Sequence, residues 1–158
     1  MQEDLGGAAP ADAADAATYH QKVSDALTAH QAALQPVGEL LVRMEQAPAL
    51  MTDGEWKASM DGALRALDDA GASLAGFTAP SEAIPTPAVY SLRRVQKLLR
   101  QVGGETRALA GEWQRAVDAG DTEAVQGPRA RLHRIARDRH KAMREMARAS
   151  RDLPAAAR

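Results

Sequence analysis

The densest chemistry-bearing pattern in the chain lies near its C-terminal end, where Arg134, Arg137, Lys141, Arg144, Arg148 and Arg151 recur at spacings of three and four. On a helix these positions share one face over about five turns, with Leu132, Ile135, Met143 and Met146 on the opposite one. Such a stripe can hold phosphates or an anionic surface through charge alone. It is more often a solvated outer face paired with acidic neighbours. No aromatic residue interleaves it, so the stacking used to bind single-stranded nucleic acid is missing and a nucleic-acid partner is disfavoured. Arg139 differs in projecting from the middle of the apolar face. An unpaired charge is costly there, so it is expected to snorkel to the edge.

The histidines are the other groups with ligand chemistry. His30 is centred in an apolar stripe, and counting turns in an up-down-up-down bundle places it level with Gly71 and Thr106. This layer of an imidazole, a hydroxyl and a residue without a side chain is expected to lack volume and to hold a small polar cavity with a water in it. A metal could be ligated by His30. The stripe supplies one imidazole and no carboxylate, however, which favours a hydrogen-bonded core histidine. His133 and His140 share a face at the margin of the basic stripe and are expected to be solvated.

Several reaction chemistries lack their residues. There is no Cys, hence no disulfide and no thiolate ligand or nucleophile. No Glu-x-x-His occurs, which removes the di-iron motif of ferritin-like bundles. A phosphate-binding Gly-rich loop, His-Glu-x-x-His and Gly-x-Ser-x-Gly are absent too. The expectation is a non-enzymatic protein without a cofactor of its own.

The elements that must position these residues are helices. Of 158 residues 35 are Ala and only five are aromatic, a composition that favours closely packed helices over strands. No apolar run approaches the roughly 20 residues of a membrane span. The periodicity predicts one all-α domain, an antiparallel up-down-up-down four-helix bundle over 16–153 with helices at about 15–46, 53–75, 87–119 and 121–152. Residues 1–15 read as a flexible acidic, Ala-rich tail and 154–158 as a disordered end.

The first helix carries Tyr19, Val23, Leu27, His30, Leu34, Val37, Leu41 and Met44 on one face, with Pro36 inside the pattern and Ala47-Pro48 at its end. The second opens with the capping-box pattern Thr52-Asp53-Gly54-Glu55 and stops near Gly76. A connection with two prolines follows, from Phe77 to Pro85. Thr86-Pro87 starts the third helix, and Gly120-Asp121 makes the short turn into the fourth. Charge divides along the chain: residues 1–86 hold 13 acidic and 4 basic residues, and 87–158 hold 8 and 16. An acidic helix pair is therefore expected to pack against a basic pair.

Two resemblances follow. From Trp56 to Ala149, the Trp-led second helix, the Pro-rich connection and Val117-Asp118-Ala119-Gly120-Asp121-Thr122 ahead of a long final helix resemble helical-bundle domains of exported bacterial proteins and lipoproteins of unknown function. This resemblance implies a binding module of the cell envelope, with residues 1–15 following a removed leader and a lipid anchor in the precursor; a cytoplasmic module is the alternative. Gly120 to Lys141 is similar to the last helix of the periplasmic four-helix-bundle b-type cytochrome, with His140 where that family has its haem-binding histidine. The family's second ligand is a Met early in the first helix, where this chain has no Met before Met44 but has His20 near the level. The resemblance thus implies a haem carrier ligated by His140 and His20, which joins the metal site that His30 could form as a rival reading, a haem or metal carrier.

Overall fold

In the computed structural model the backbone is described for residues 2–78 and 86–152, and side chains for 18–78, 90–128 and 130–151. Every long element among them is a helix and none is a strand: α1 (Gln2–Gln46), a 3-10 turn (Pro48–Thr52), α2 (Gly54–Ala75), α3 (Thr86–Ala119), the short α4 (Thr122–Gln126) and α5 (Arg129–Asp152). Among the described residues no helix is long and apolar enough to cross a membrane. α1 is assigned from Gln2 and so includes the stretch read as a tail. Most of the Pro-containing connection, together with Leu153 and 154–158, lies outside the described residues.

Short carboxylates start two of the helices. The Trp56 amide donates to Asp53 at 2.9 Å, and the Ala124 amide donates to Asp121 at 3.0 Å, each satisfying an amide with no partner inside its helix. The N-cap expected at Thr52 falls one residue later. Thr52 ends the 3-10 turn, where its hydroxyl donates to the Ala49 carbonyl, and Asp53 takes over the cap. α3 ends in a Schellman turn: the Asp121 amide donates to Ala116 O at 2.9 Å and the Gly120 amide to Val117 O at 3.1 Å. Gly120 has a φ of 65° there, the left-handed backbone that favours glycine.

The helix expected at 121–152 is broken in two by Gly127-Pro128, between α4 and α5. Pro128 has no amide for the helix ladder, and its ring crowds the preceding turn. The Trp113 indole N–H fixes the small piece by donating to the Val125 carbonyl at 2.8 Å.

The apolar stripes of α1, α2 and α3 form the core as their periodicity requires. Val23, Leu27, Leu41 and Met44 of α1, Trp56 to Leu74 of the α2 stripe, and Leu92 to Val117 of the α3 stripe are buried. α5 departs from expectation, since Ile135 and Met146 are buried while Met143 is 43% exposed.

Between α3 and the stretch formed by α2 and Phe77 just past its end, Asp61, Asp68 and Phe77 meet Gln114, Arg107 and Gln96. Between α3 and α5, Arg94, Glu105 and Glu112 meet Glu145, Arg134 and Arg131. In both sets, positions rise on one helix as they fall on the other. α2, α3 and α5 therefore form a tightly joined series, with α1 packed on α2. α1 and α5 touch along little of their length.

Candidate functional site

The seam between α1 and α5 is not closed along its length, and small residues stand at several of its positions. Ser24, Thr28 and Gly38 on α1 and Ala147 on α5 face it, and a Cβ added at Gly38 would meet nothing within 4 Å. Two hollows result. One is bounded by His20, Leu27, Thr28, Met143 and Met146, and the other by Gly38, Val42, Arg43, Leu132 and His133. Met143 and Val42 are 43% and 42% exposed at their rims. Apolar side chains on the lip of a hollow are a recurring feature of surfaces that receive another molecule.

The basic stripe beside this seam divides by partner. On the flank towards α3, Arg134 approaches Glu105 at 3.7 Å, Lys141 approaches Asp138 at 4.0 Å, and Arg148 approaches Glu145 at 3.2 Å; Arg131 also pairs with Glu112. Arg137, Arg144 and Arg151 are exposed and form no ion pair among the described residues. Helical geometry groups them with His133, His140 and Ala147 on the outer face, next to the seam. The acidic-against-basic packing expected of the two chain halves does not account for α5: its paired cations meet carboxylates of α3 and of α5 itself. The α2–α3 contact does carry such a pair, Arg107 with Asp68 at 3.2 Å.

His30, Gly71 and Thr106 do meet at one level. His30 and Thr106 are fully buried and joined by a 2.8 Å hydrogen bond between Nε2 and Oγ1. His30 Nδ1 is buried without a partner. An orphaned acceptor is less costly than an orphaned N–H, which assigns the proton to Nε2, donating to the Thr106 hydroxyl. Burial, and secondarily the nearby Arg139 charge, pull the imidazole down to a pKa of about 4.

The missing volume expected at Gly71 is instead filled by α3. A Cβ there would lie 3.0 Å from the Gly103 carbonyl oxygen and 3.2 Å from the Thr106 Cβ. The layer is closed by backbone contact on that side. Arg139 is half-buried, with its Nε buried and without a partner, and burial lowers its pKa from the ordinary value.

The three histidines with candidate ligand roles are not brought together. His30 lies in the core, His20 lines one hollow half-buried, and His140 is exposed on the outer face of α5. No group of three or more His, Asp or Glu side chains able to hold a metal occurs among the described residues. Two features are not visible in the periodicity of the sequence: the open seam at Val42 and Met143, and the close approach of Gly103 in α3 to Gly71 and Ala75 in α2. The available signal for the seam was the small residues Ser24, Thr28 and Gly38 on α1. No family model matches the chain, nor does any curated protein or solved structure.

Proposed function

We propose that this chain is a non-enzymatic interaction module that receives its partner along the α1/α5 seam. The observation that carries the reading is an open seam with the apolar side chains Val42 and Met143 exposed at its rim, flanked by cations that have no ion pair among the described residues. Its apolar rim supplies contact area, and Arg137 and Arg144 supply charge preference. The opposite order of paired positions between α2 and α3 and between α3 and α5 supports an antiparallel up-down-up-down four-helix bundle as its frame. A place in the bacterial cell envelope rests on the resemblance of 56–149 to exported helical bundles.

The anionic aryl dye anilinonaphthalene sulfonate has the two properties that the seam selects. It is expected to bind the folded native protein saturably, with a fluorescence gain. Met143→Glu places a carboxylate on the rim and should weaken that binding roughly tenfold or more while leaving the helical circular-dichroism spectrum unchanged. No saturable gain with the native protein, or equal affinity in Met143→Glu, overturns the reading.

A further inference from the structure

We infer that the partner is an acidic amphipathic helix, laid lengthwise into the α1/α5 seam as an additional helix. This rests on the reading of the seam as the binding surface and adds the chemistry and shape of what fills it. The first argument is geometric. Thr28 in one hollow and Val42 in the other are 14 positions apart on one helix, about 21 Å along its axis at 1.5 Å per residue. A straight rod with large side chains at both ends of that span matches both hollows, and residues 14 apart on a helix share a face. A ligand of about 20 residues with apolar side chains at heptad-like spacing fits the seam. A lipid surface is approached by a convex face with its apolar side chains foremost. Here the apolar side chains border recesses between two helices, which a flat bilayer would bridge rather than fill.

The second argument is charge. On α5, Arg137, Arg144 and Arg151 are exposed on the helical face they share with His133 and Ala147, which line the hollows, and have no ion pair among the described residues. The α1 wall is nearly neutral: of the side chains lining the hollows, Ser24, Thr28, Gln31 and Gln35 are uncharged and Glu39 is offset by Arg43. A docked helix with carboxylates on the flank facing α5 meets complementary charge there and none of its own sign along most of the other wall. Exposed pairs of this kind set orientation and partner choice more than affinity, which comes from the apolar rim. A second copy of the chain seated about a two-fold axis would set this cationic margin against itself, and is disfavoured for that reason.

The test uses the full chain and fluorescently labelled synthetic helices. One is an amphipathic peptide of about 20 residues with Leu on one face and Glu on its flanks. A second has every Glu replaced by Lys, and a third is a scramble of the first with no apolar face. The Glu peptide should bind one-to-one and at least roughly tenfold tighter than either control, a difference of about 1.4 kcal/mol. The exposed double change Arg137→Glu with Arg144→Glu should weaken the Glu peptide and tighten the Lys peptide. Equal binding of the scramble, or no response to the charge reversal, overturns the inference. Binding to phosphatidylglycerol vesicles with none to the peptide identifies a lipid surface as the occupant and also overturns it. If dye binding responds to Met143→Glu while no peptide binds, the inference fails and the seam still stands as the binding surface; loss of both removes the seam as well.

Discussion

Gly103→Ala should destabilise the protein by about 1–3 kcal/mol, whereas Gly104→Ala, one residue along, should stabilise it by about 0.5–1 kcal/mol. Both glycines sit inside α3, and Ala is the better helix former at both positions. Their surroundings decide the sign. A Cβ on Gly103 would come within 2.5 Å of the Gly71 carbonyl oxygen, 2.6 Å of the Ala75 amide nitrogen and 2.9 Å of the Ala75 Cβ. These are backbone atoms and a Cβ of α2, with no rotamer to move, so the helices must separate or shift. A Cβ on Gly104 would meet nothing within 4 Å. Thermal unfolding followed by circular dichroism checks the pair, with the two variants expected on opposite sides of the native midpoint. A neutral Gly103→Ala would mean that α2 and α3 do not approach this closely.

Lowering the pH from 6.5 towards 4 should cost about 3 kcal/mol of folding stability through His30 alone. The folded imidazole has a pKa of about 4 against the ordinary 6.5. Between these values the unfolded chain binds a proton that the folded chain excludes, so stability rises with pH across the window. The contribution is full above 6.5 and is lost as the pH falls to about 4. Other groups titrate as well, so the diagnostic quantity is the difference from His30→Leu, which lacks the proton site. Urea unfolding of the two proteins should give similar stabilities at pH 7 and diverge at pH 4.5, the Leu variant being the more stable. Arg139→Met removes the nearby positive charge and should narrow the divergence by letting the imidazole protonate more readily. Parallel pH profiles for the native and Leu proteins would place His30 in contact with solvent.

Much of the fold was legible because burial follows a helical period. The stripes Trp56-Met60-Leu64-Leu67-Leu74 and Leu92-Val95-Leu99-Val102-Leu109-Trp113 are buried without exception. Turn counting also placed His30 beside Thr106. The same layer shows where such counting stops. Gly71 read as missing volume, because a sequence gives side-chain size and not the distance between backbones. Gly103 could not be matched to it, since it sits one position off the α3 stripe. The cap fell on Asp53 rather than Thr52 because it is the Asp53 carboxylate that reaches a free amide.

The candidate surface was the least legible part. Periodicity shows that α5 has an apolar face and a cationic one, but not whether the elements on each side cover that face to its edge. Met143 therefore counted as core although it stands at an open rim. The cations formed one stripe in sequence, and three-dimensional neighbours divide it into the Arg134, Lys141 and Arg148 flank, which has carboxylates, and the Arg137, Arg144 and Arg151 margin.

The seam is tested most directly by the methionine methyl groups, observed by nuclear magnetic resonance during titration with anilinonaphthalene sulfonate. Met143 and Met146 line the first hollow, while Met51 and Met60 are buried away from it. Saturable shifts confined to Met143 and Met146, with Met51 and Met60 unmoved, are the expected result. Shifts spread over all of these methyls, or none at Met143 and Met146 under conditions where the dye is bound, would contradict a binding surface between α1 and α5.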